Sequence, residues 1–362
     1  MTCLLQEGGW DTVATIRDVA RKAGVSIGTV SNVLNRPSYV NAKTRAKVEK
    51  AITVLGFAPT STARQYRIGR ERTPGLALAD MGNPFFVDIA VGAEAMAKEL
   101  GVGMVICHNG EDPGREEQNL DLLAQLRVQG IMITPVDEQN ARLGQLKDIG
   151  LPIVHVDRVS PGLPCCWLAT DDHRGGQLAG EHLADIGSQR PAFVGSLQIS
   201  RQVQDRHQGF VEAFTATVNG EDAIELIDAS AWTMEAGREV GRALATRRPK
   251  DRPDALFCAN DLLALGVLKE LQLHRIMVPR DIALIGFDDL VWAEAAAVPL
   301  TSIRQPRALL GRSAVSMLID EIDEGTDHVH RHELLEPELI IRQSTVALER
   351  ATKRKAPGRP RS

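Results

Sequence analysis

Cysteine is scarce in this chain of 362 residues, and the five present are Cys3, Cys107, Cys165, Cys166 and Cys258. An odd set with no CxxC and no Cys/His ligand spacing argues against a disulfide framework and a zinc knuckle. It reads as buried, reduced thiols in a cytosolic protein. Long apolar runs are missing too. No stretch approaches the ~20 residues of a membrane span. The start, Met1-Thr2-Cys3-Leu4-Leu5-Gln6-Glu7, has neither the basic nor the apolar region of a secretory signal. The motifs of several enzyme classes are also lacking: there is no GxGxxG after a strand, no P-loop, no GxSxG and no HExxH. His108, His155, His173 and His207 show no catalytic or metal spacing, and His328, His330 and His332 read as a solvated turn after Gly325. The expectation is a protein that is not an enzyme and needs no cofactor or metal.

What is present is ordinary for a soluble globular chain: 43% apolar and 25% charged residues. The net charge of −5 hides an asymmetry. Residues 1–70 hold 11 Lys and Arg against 4 Asp and Glu, and residues 350–362 hold 6 basic residues and no acid. A basic head, an acidic body and a basic tail suggest that one end meets nucleic acid.

The head carries a motif. Ile16, Val19, Ala20 and Ala23 recur at helical spacing. Thr15 suits the N-cap, with Asp18 three residues on, and Gly24 suits the left-handed residue that ends a helix. Val25 then plugs the turn, and Ser26 caps a second helix over about 27–34 that buries Val30, Val33 and Leu34. A third helix runs from near Asn41 to Leu55, where Gly56 ends it. Two short helices joined through a tight turn form a helix-turn-helix. The second helix begins with Ser26, Gly28, Thr29, Ser31 and Asn32, small and polar groups suited to base edges and phosphates in the major groove.

Further on, short β-like runs alternate with helical patterns. The runs include 75–80, 103–108, 131–134, 153–157, 192–195, 224–227, 255–258 and 282–286. Buried parallel strands with crossover helices follow, an α/β fold of two subdomains.

The chain resembles the lactose/galactose repressor family. The resemblance rests on the run Ile16 to Leu34, on Thr44-Arg45-Ala46-Lys47-Val48, and on Leu55-Gly56-Phe57-Ala58-Pro59. It also rests on Arg72 to Leu76 with Asn83-Pro84-Phe85-Phe86, on Ala259-Asn260-Asp261, on Ile285 to Asp289, and on Leu300 to Pro306. It covers about residues 15–349. It implies an extension over 1–14, a three-helix DNA-binding head over 15–58, and a hinge over 59–72. A two-lobed periplasmic-binding-protein-like core spans 73–349, and a basic tail spans 350–362. Lobe 1 would take about 73–170 and 304–333, and lobe 2 about 171–303 and 334–349.

The implied function is a transcriptional regulator, in most members a repressor. It would bind a pseudopalindromic DNA operator as a homodimer in the cytoplasm, at the nucleoid, with no membrane. A small-molecule effector, a sugar rather than a purine, would control it. A sugar-binding protein of a transport system is the alternative. DNA contacts would come from Thr15, Ser26, Ile27, Gly28, Thr29, Ser31, Asn32, Asn35 and Tyr39. In the hinge Ala63 would permit close approach, and Tyr66 falls where the family places a leucine wedge. Effector contacts would come from Phe85, Phe86, Thr134, Asp157, Arg206, Trp232, Asn260, Asp288 and Gln305.

Several of these residues also have plainer readings. Trp232 reads as core, Arg206 with Asp205 as an exposed ion pair, and Asp261 as the cap of the next helix. The run Pro357-Gly-Arg-Pro-Arg361 reads as a solvated tail or as an auxiliary minor-groove contact.

Overall fold

The computed structural model describes residues 14–57, 73–158, 162–198, 200–218 and 224–346. Two compact units divide the chain, a head up to residue 71 and a core from residue 72. The expectations placed on Ala63 and Tyr66, and on the basic tail, lie outside the described residues.

In the head, α1 (Ile16–Ala23), α2 (Ile27–Asn35) and α3 (Ala42–Leu55) surround one small core. Val19, Ala20, Val30, Val33, Val48, Ala51 and Phe57 form it, with Leu34 and Leu55 packed at its edge. Thr15 and Asp18 form a reciprocal capping box at the start of α1. The turn between α1 and α2 requires Gly24, whose φ of +67° an L side chain rarely adopts. The Ser26 hydroxyl then accepts from the Thr29 amide at 3.1 Å and starts α2.

The core holds two six-stranded sheets. The first runs in the order β11 (His332–Leu335), β5 (Cys166–Thr170), β4 (Ile153–Val156), β3 (Ile131–Ile133), β1 (Gly75–Leu78), β2 (Val105–His108). All of its pairs are parallel. Helices α4 (Pro84–Glu99), α5 (Pro113–Gln125) and α6 (Ala141–Asp148) connect its strands. The second sheet runs β12 (Glu338–Ile340), β10 (Thr301–Arg304), β9 (Ala283–Asp288), β8 (Ala255–Cys258), β6 (Pro191–Val194), β7 (Glu225–Ile227). Only the β10–β12 pair is antiparallel in this sheet. Around it lie α7 (Asp172–Asp185), α8 (Arg201–Val218), α9 (Met234–Thr246), α10 (Asp261–Leu273) and the short α11 (Val291–Ala295). The long α12 (Arg307–Glu324) returns to the first sheet and packs on α4.

The chain therefore passes between the lobes three times: after β5, after β10 and after β11. The last passage corrects the expected lobe boundary at residue 333. Strand β11 pairs with β5 through Leu335↔Thr170, so the first lobe keeps residues 334 and 335. The other strands that the run of β-like segments did not single out, β5, β10 and β12, also flank these passages. Polar residues interrupt their apolar pattern: Thr170 in β5, Thr301, Ser302 and Arg304 in β10, and Glu338 in β12.

Each lobe has its own apolar core. Phe193, Phe210, Phe257 and Phe287 fill the second. Leu76, Phe85, Phe86, Ile89, Val154 and Leu318 belong to the first. Leu290, from the second lobe, is fully buried in the first lobe's core. Among the described residues, no helix is long and apolar enough to cross a membrane.

Candidate functional sites

On the head, the α2 surface divides cleanly. Val30 and Val33 point inward, while Ser26, Ile27, Gly28 and Asn32 are exposed and Thr29 and Ser31 are half-buried. Ile27 is 46% exposed, an apolar group of the kind that meets a thymine methyl in the major groove. Gly28 adds no bulk, and the helix carries no charge in its first or last turn. Thr15 spends its hydroxyl on Asp18 Oδ2 at 2.6 Å, within the cap. Tyr39, in the 3-10 turn Pro37–Tyr39, is 84% exposed. Asn35 closes α2.

In the core, the expected effector residues gather where strands end. Asp157 follows β4 with φ +69°, and Asp288 ends β9 with φ +107°. Non-glycine residues held at such φ values cost energy and cluster where a ligand or a switch needs them. Both carboxylates are buried. Burial raises Asp157 to about 7, with Asp172 and Asp288 adding to the effect against the opposing pull of Arg158 and Arg206. Burial also raises Asp288 to about 6, against Arg206 and a hydrogen bond from Gln305.

Arg206 sits among these acids. Its Nε donates to Asp172 Oδ1 at 2.7 Å and its Nη1 to the Ala259 carbonyl at 2.6 Å. The guanidinium lies 3.6 Å from the centroid of Phe287, an arrangement favourable to a cation. Arg206 is only 5% exposed, so the reading as an exposed pair with Asp205 fails. Asp205 instead faces Arg201 at 3.8 Å. Close helix packing sets this position. A Cβ on Gly176 of α7 would fall 2.1 Å from the Arg206 carbonyl, and one on Gly209 of α8 2.0 Å from that of His173. Only glycine lets the two helices approach this far.

The rest of the set joins from both lobes. Gln305 Nε2 donates to Asp288 Oδ1 at 2.7 Å, and Arg307 Nη1 donates to the Asp288 carbonyl. The guanidinium of Arg158 lies 5.9 Å from the Phe86 centroid and 5.4 Å from that of Trp232. Trp232 is half-buried against the second lobe's core, and its Nε1 is buried without a hydrogen-bond partner. Gln305 Oε1 and Thr134 Oγ1 are likewise buried and unpartnered. Phe85 turns into the first lobe's core, edge-on to Phe86 with centroids 5.0 Å apart.

Two neighbouring residues depart from their expected parts. Asn260, expected at the effector, caps α10: its Oδ1 accepts from the Leu263 amide at 2.9 Å, and its Nδ2 donates to the Trp232 carbonyl at 3.1 Å. Asp261, expected to cap that helix, accepts instead from Ser302 Oγ at 2.6 Å and the Leu290 amide at 2.7 Å. It is fully buried and its carboxyl is pushed well above the usual range, chiefly by desolvation.

Sequence reasoning missed Arg158, Asp172 and Gln202. Arg158 makes a two-pronged pair with Glu111 at 2.8 and 3.0 Å. Asp172 holds Arg206, and Gln202 Nε2 donates to Asp157 Oδ2 at 3.0 Å. All three line a cavity of about 560 Å³ with Asp157, Trp167 and Asp205, a volume in the range of small-molecule sites. Of the nine expected effector residues, Asp157 alone lines this cavity. A strand assignment at 166–170 would have exposed the signal, because it places Asp171-Asp172 at a strand end.

Comparison with known proteins fits this architecture. Residues 15–60 match the bacterial regulatory proteins of the lacI family, and residues 181–345 match the periplasmic binding protein-like domain. The chain is 32% identical over 338 residues to the HTH-type transcriptional repressor PurR of Mannheimia succiniciproducens, covering 92% of this chain and 98% of that protein. A crystal structure of the lac repressor dimer bound to operator and the anti-inducer ONPF superposes with a TM-score of 0.77. Its identity is 28%, with 93% of this chain and 100% of that one covered. The complex of the regulator CelR with cellobiose gives a TM-score of 0.68 at 30% identity, covering 91% and 99%. Such repressors bind operator DNA as dimers under the control of small-molecule effectors. The chain belongs to the lacI family of bacterial regulatory proteins: it is a DNA-binding transcriptional repressor and not an enzyme.

Proposed function

We propose that this repressor reads a pseudopalindromic operator through Ser26, Ile27, Gly28, Thr29, Ser31 and Asn32 of α2. Thr15, Asn35 and Tyr39 flank this surface, and Ala63 and Tyr66 act in the hinge. Its effector is a sugar, held between the lobes by Asp157, Arg206, Trp232, Asp288 and Gln305, with Phe86 and Thr134 beside them. The repressor works in the cytoplasm, at the nucleoid.

The observation that carries the sugar reading is the acceptor-rich character of the buried site. Asp157, Asp172 and Asp288 stand beside cations that are already engaged: Arg206 by Asp172, Arg158 by Glu111, and Arg307 by Asp88. Gln202 Oε1 and Gln305 Oε1 add two buried acceptors without partners. Burying such atoms unpaired is costly, and a ligand rich in hydroxyl donors removes the cost. An anionic ligand would meet repulsion there. Trp232, half-buried at the edge of the second lobe's core, is the ring for the C–H side of a pyranose, and Phe86 lies buried beyond Arg158. The resemblance to a CelR–cellobiose complex points the same way, while the similarity to PurR keeps a purine as the competing effector.

The test begins with selection of bound sequences from a random duplex pool by the full chain at near-physiological salt. An enriched pseudopalindrome is expected. That duplex then serves as the probe in a screen of neutral sugars against purine bases. A shift in operator affinity with a sugar supports the reading, and a response to purines alone overturns the effector class. Binding that is only salt-sensitive and sequence-independent, with or without metabolites, would overturn the operator reading.

A further inference from the structure

Behind the effector site, at the amino ends of β5 and β11, four ligand-type side chains converge. They are Cys166 at the start of β5, Glu321 in the last turns of α12, and His328 and His330 in the turn before β11. One ligand atom from each lies within 4.8 Å of all the others. Cys166 Sγ is 3.1 Å from His328 Nε2 and 3.8 Å from His330 Nδ1. Along the chain these residues are far apart. The parallel pairing of β5 with β11 brings the thiol to the histidines, which corrects the reading of His328 and His330 as a solvated turn. His332 does not take part, since its ring stacks on Trp167 with centroids 4.8 Å apart.

Three further features suit a metal ion. Glu321 Oε2 is buried with no hydrogen-bond partner, while Oε1 is held by Lys147 at 2.7 Å. The imidazole of His328 is 2% exposed, and its Nδ1 lies 2.6 Å from Glu324 Oε2. A carboxylate on the far nitrogen orients an imidazole and leaves the near nitrogen's lone pair free for a metal. The Arg331 amide donates to Cys166 Sγ at 3.4 Å, a contact that favours sulfur bearing negative charge.

The geometry points to a transition-metal site of Cys166, His328, His330 and Glu321, with Zn²⁺ the ion that best suits it. Zinc bonds of ~2.0–2.3 Å in a tetrahedron set the ligand atoms roughly 3.3–3.8 Å apart, so the 3.1 Å Cys166–His328 contact must open slightly and the widest separations, up to 4.8 Å, must close by about 1 Å. One thiolate and two imidazoles select against Mg²⁺ and Ca²⁺. The Cys166 thiolate, Glu321 and Glu324 against Lys147 leave two negative charges to balance a divalent ion. The bound ion ties the end of α12 to both strands, and β11 leads directly into the third passage between the lobes.

The full chain, stripped by chelator dialysis, is titrated with Co²⁺ and then with Zn²⁺ against a chromophoric competitor. One Co²⁺ per chain is expected, with a thiolate charge-transfer band and the intense visible bands of tetrahedral cobalt. Zn²⁺ is expected to displace it and to raise the melting temperature. His328→Gln and His330→Gln, both in a turn outside the apolar core, are expected to fold and to lose stoichiometric binding. Glu324→Gln is expected to weaken binding by ~10–100-fold while keeping the cobalt spectrum. Absence of the thiolate band would overturn the proposal, as would Zn²⁺ affinity that survives in the doubly substituted His328→Gln/His330→Gln chain.

Discussion

Gln202 and Asp157 close the gap between the lobes: the amide nitrogen on α8 donates to the carboxylate that follows β4, at 3.0 Å. The bond is buried and one partner is an acid, so it is worth more than an exposed contact. Gln202→Leu keeps the side chain's bulk and removes the donor. The expected loss is about 1.5 kcal/mol of support for the closed arrangement, roughly tenfold in affinity for the sugar that the screen identifies. Titration calorimetry of variant and parent reads it directly. Equal affinities would mean that closure rests on other contacts.

Asp157 also makes the core sensitive to pH. Its carboxyl is raised from 3.8 to about 7 in the folded chain. Between those values the folded state holds a proton that the unfolded state has lost, so this residue's contribution to stability is present at low pH and falls as pH rises. Asp157→Asn should flatten that part of the profile. The measurement is the melting temperature of parent and variant from pH 5 to 8, and the gap between them should change with pH. A ligand that donates hydrogen bonds to the ionised carboxylate should also expel the proton. Effector binding near pH 6 is then accompanied by proton release, seen as a dependence of binding heat on buffer ionisation enthalpy.

Asp288→Ala should abolish the effector response while operator binding without effector survives. The carboxylate belongs to the second lobe's strand end, and its neighbours are Gln305, Arg206 and Arg307. Mobility shifts with and without the sugar separate the two properties. Loss of operator affinity with a normal effector response would refute the site assignment.

Gly209→Ala tests how Arg206 is placed. The new Cβ would fall 2.0 Å from the His173 carbonyl oxygen, a backbone atom that cannot swing aside. Helices α7 and α8 must separate, at a cost of ~1–3 kcal/mol or more. The melting temperature should fall, and effector affinity should fall with it as Arg206 leaves Asp172. A variant that melts like the parent would show that the helices can relax freely.

The head was legible almost residue by residue. Its signals are local: Thr15 with Asp18, Gly24, Ser26 and the spacing of Val30 and Val33 act within a few positions. The α/β alternation was equally plain, because buried strands such as β4 and β9 are nearly continuous apolar runs. The site was legible only where a strand end announced it, as at Asp157 and Asp288. The cap of α10 was read as Asp261 and is Asn260, since both types cap well. The choice depends on Ser302 and Leu290, which arrive from elsewhere in the chain. Asp172 and Gln202 were missed for the same reason, as their partners are set by tertiary packing. Cys166 and His328, 162 positions apart, meet only through the pairing of β5 with β11.

Asn32→Ala probes base reading on the head. Asn32 is exposed on the face of α2 opposite Val30 and Val33, so its removal should leave the three-helix core intact. A side-chain amide pairs with an adenine edge in the major groove, and each good contact of that kind discriminates by ~1–3 kcal/mol. The variant should lose selectivity at one position in each half-site of the operator, with the melting temperature unchanged. A phosphate contact would behave differently, weakening all sequences alike and shallowing the salt dependence. Binding to a panel of single-base operator variants at two salt concentrations distinguishes the outcomes, and uniform weakening would remove Asn32 from the reading set and place it on the backbone.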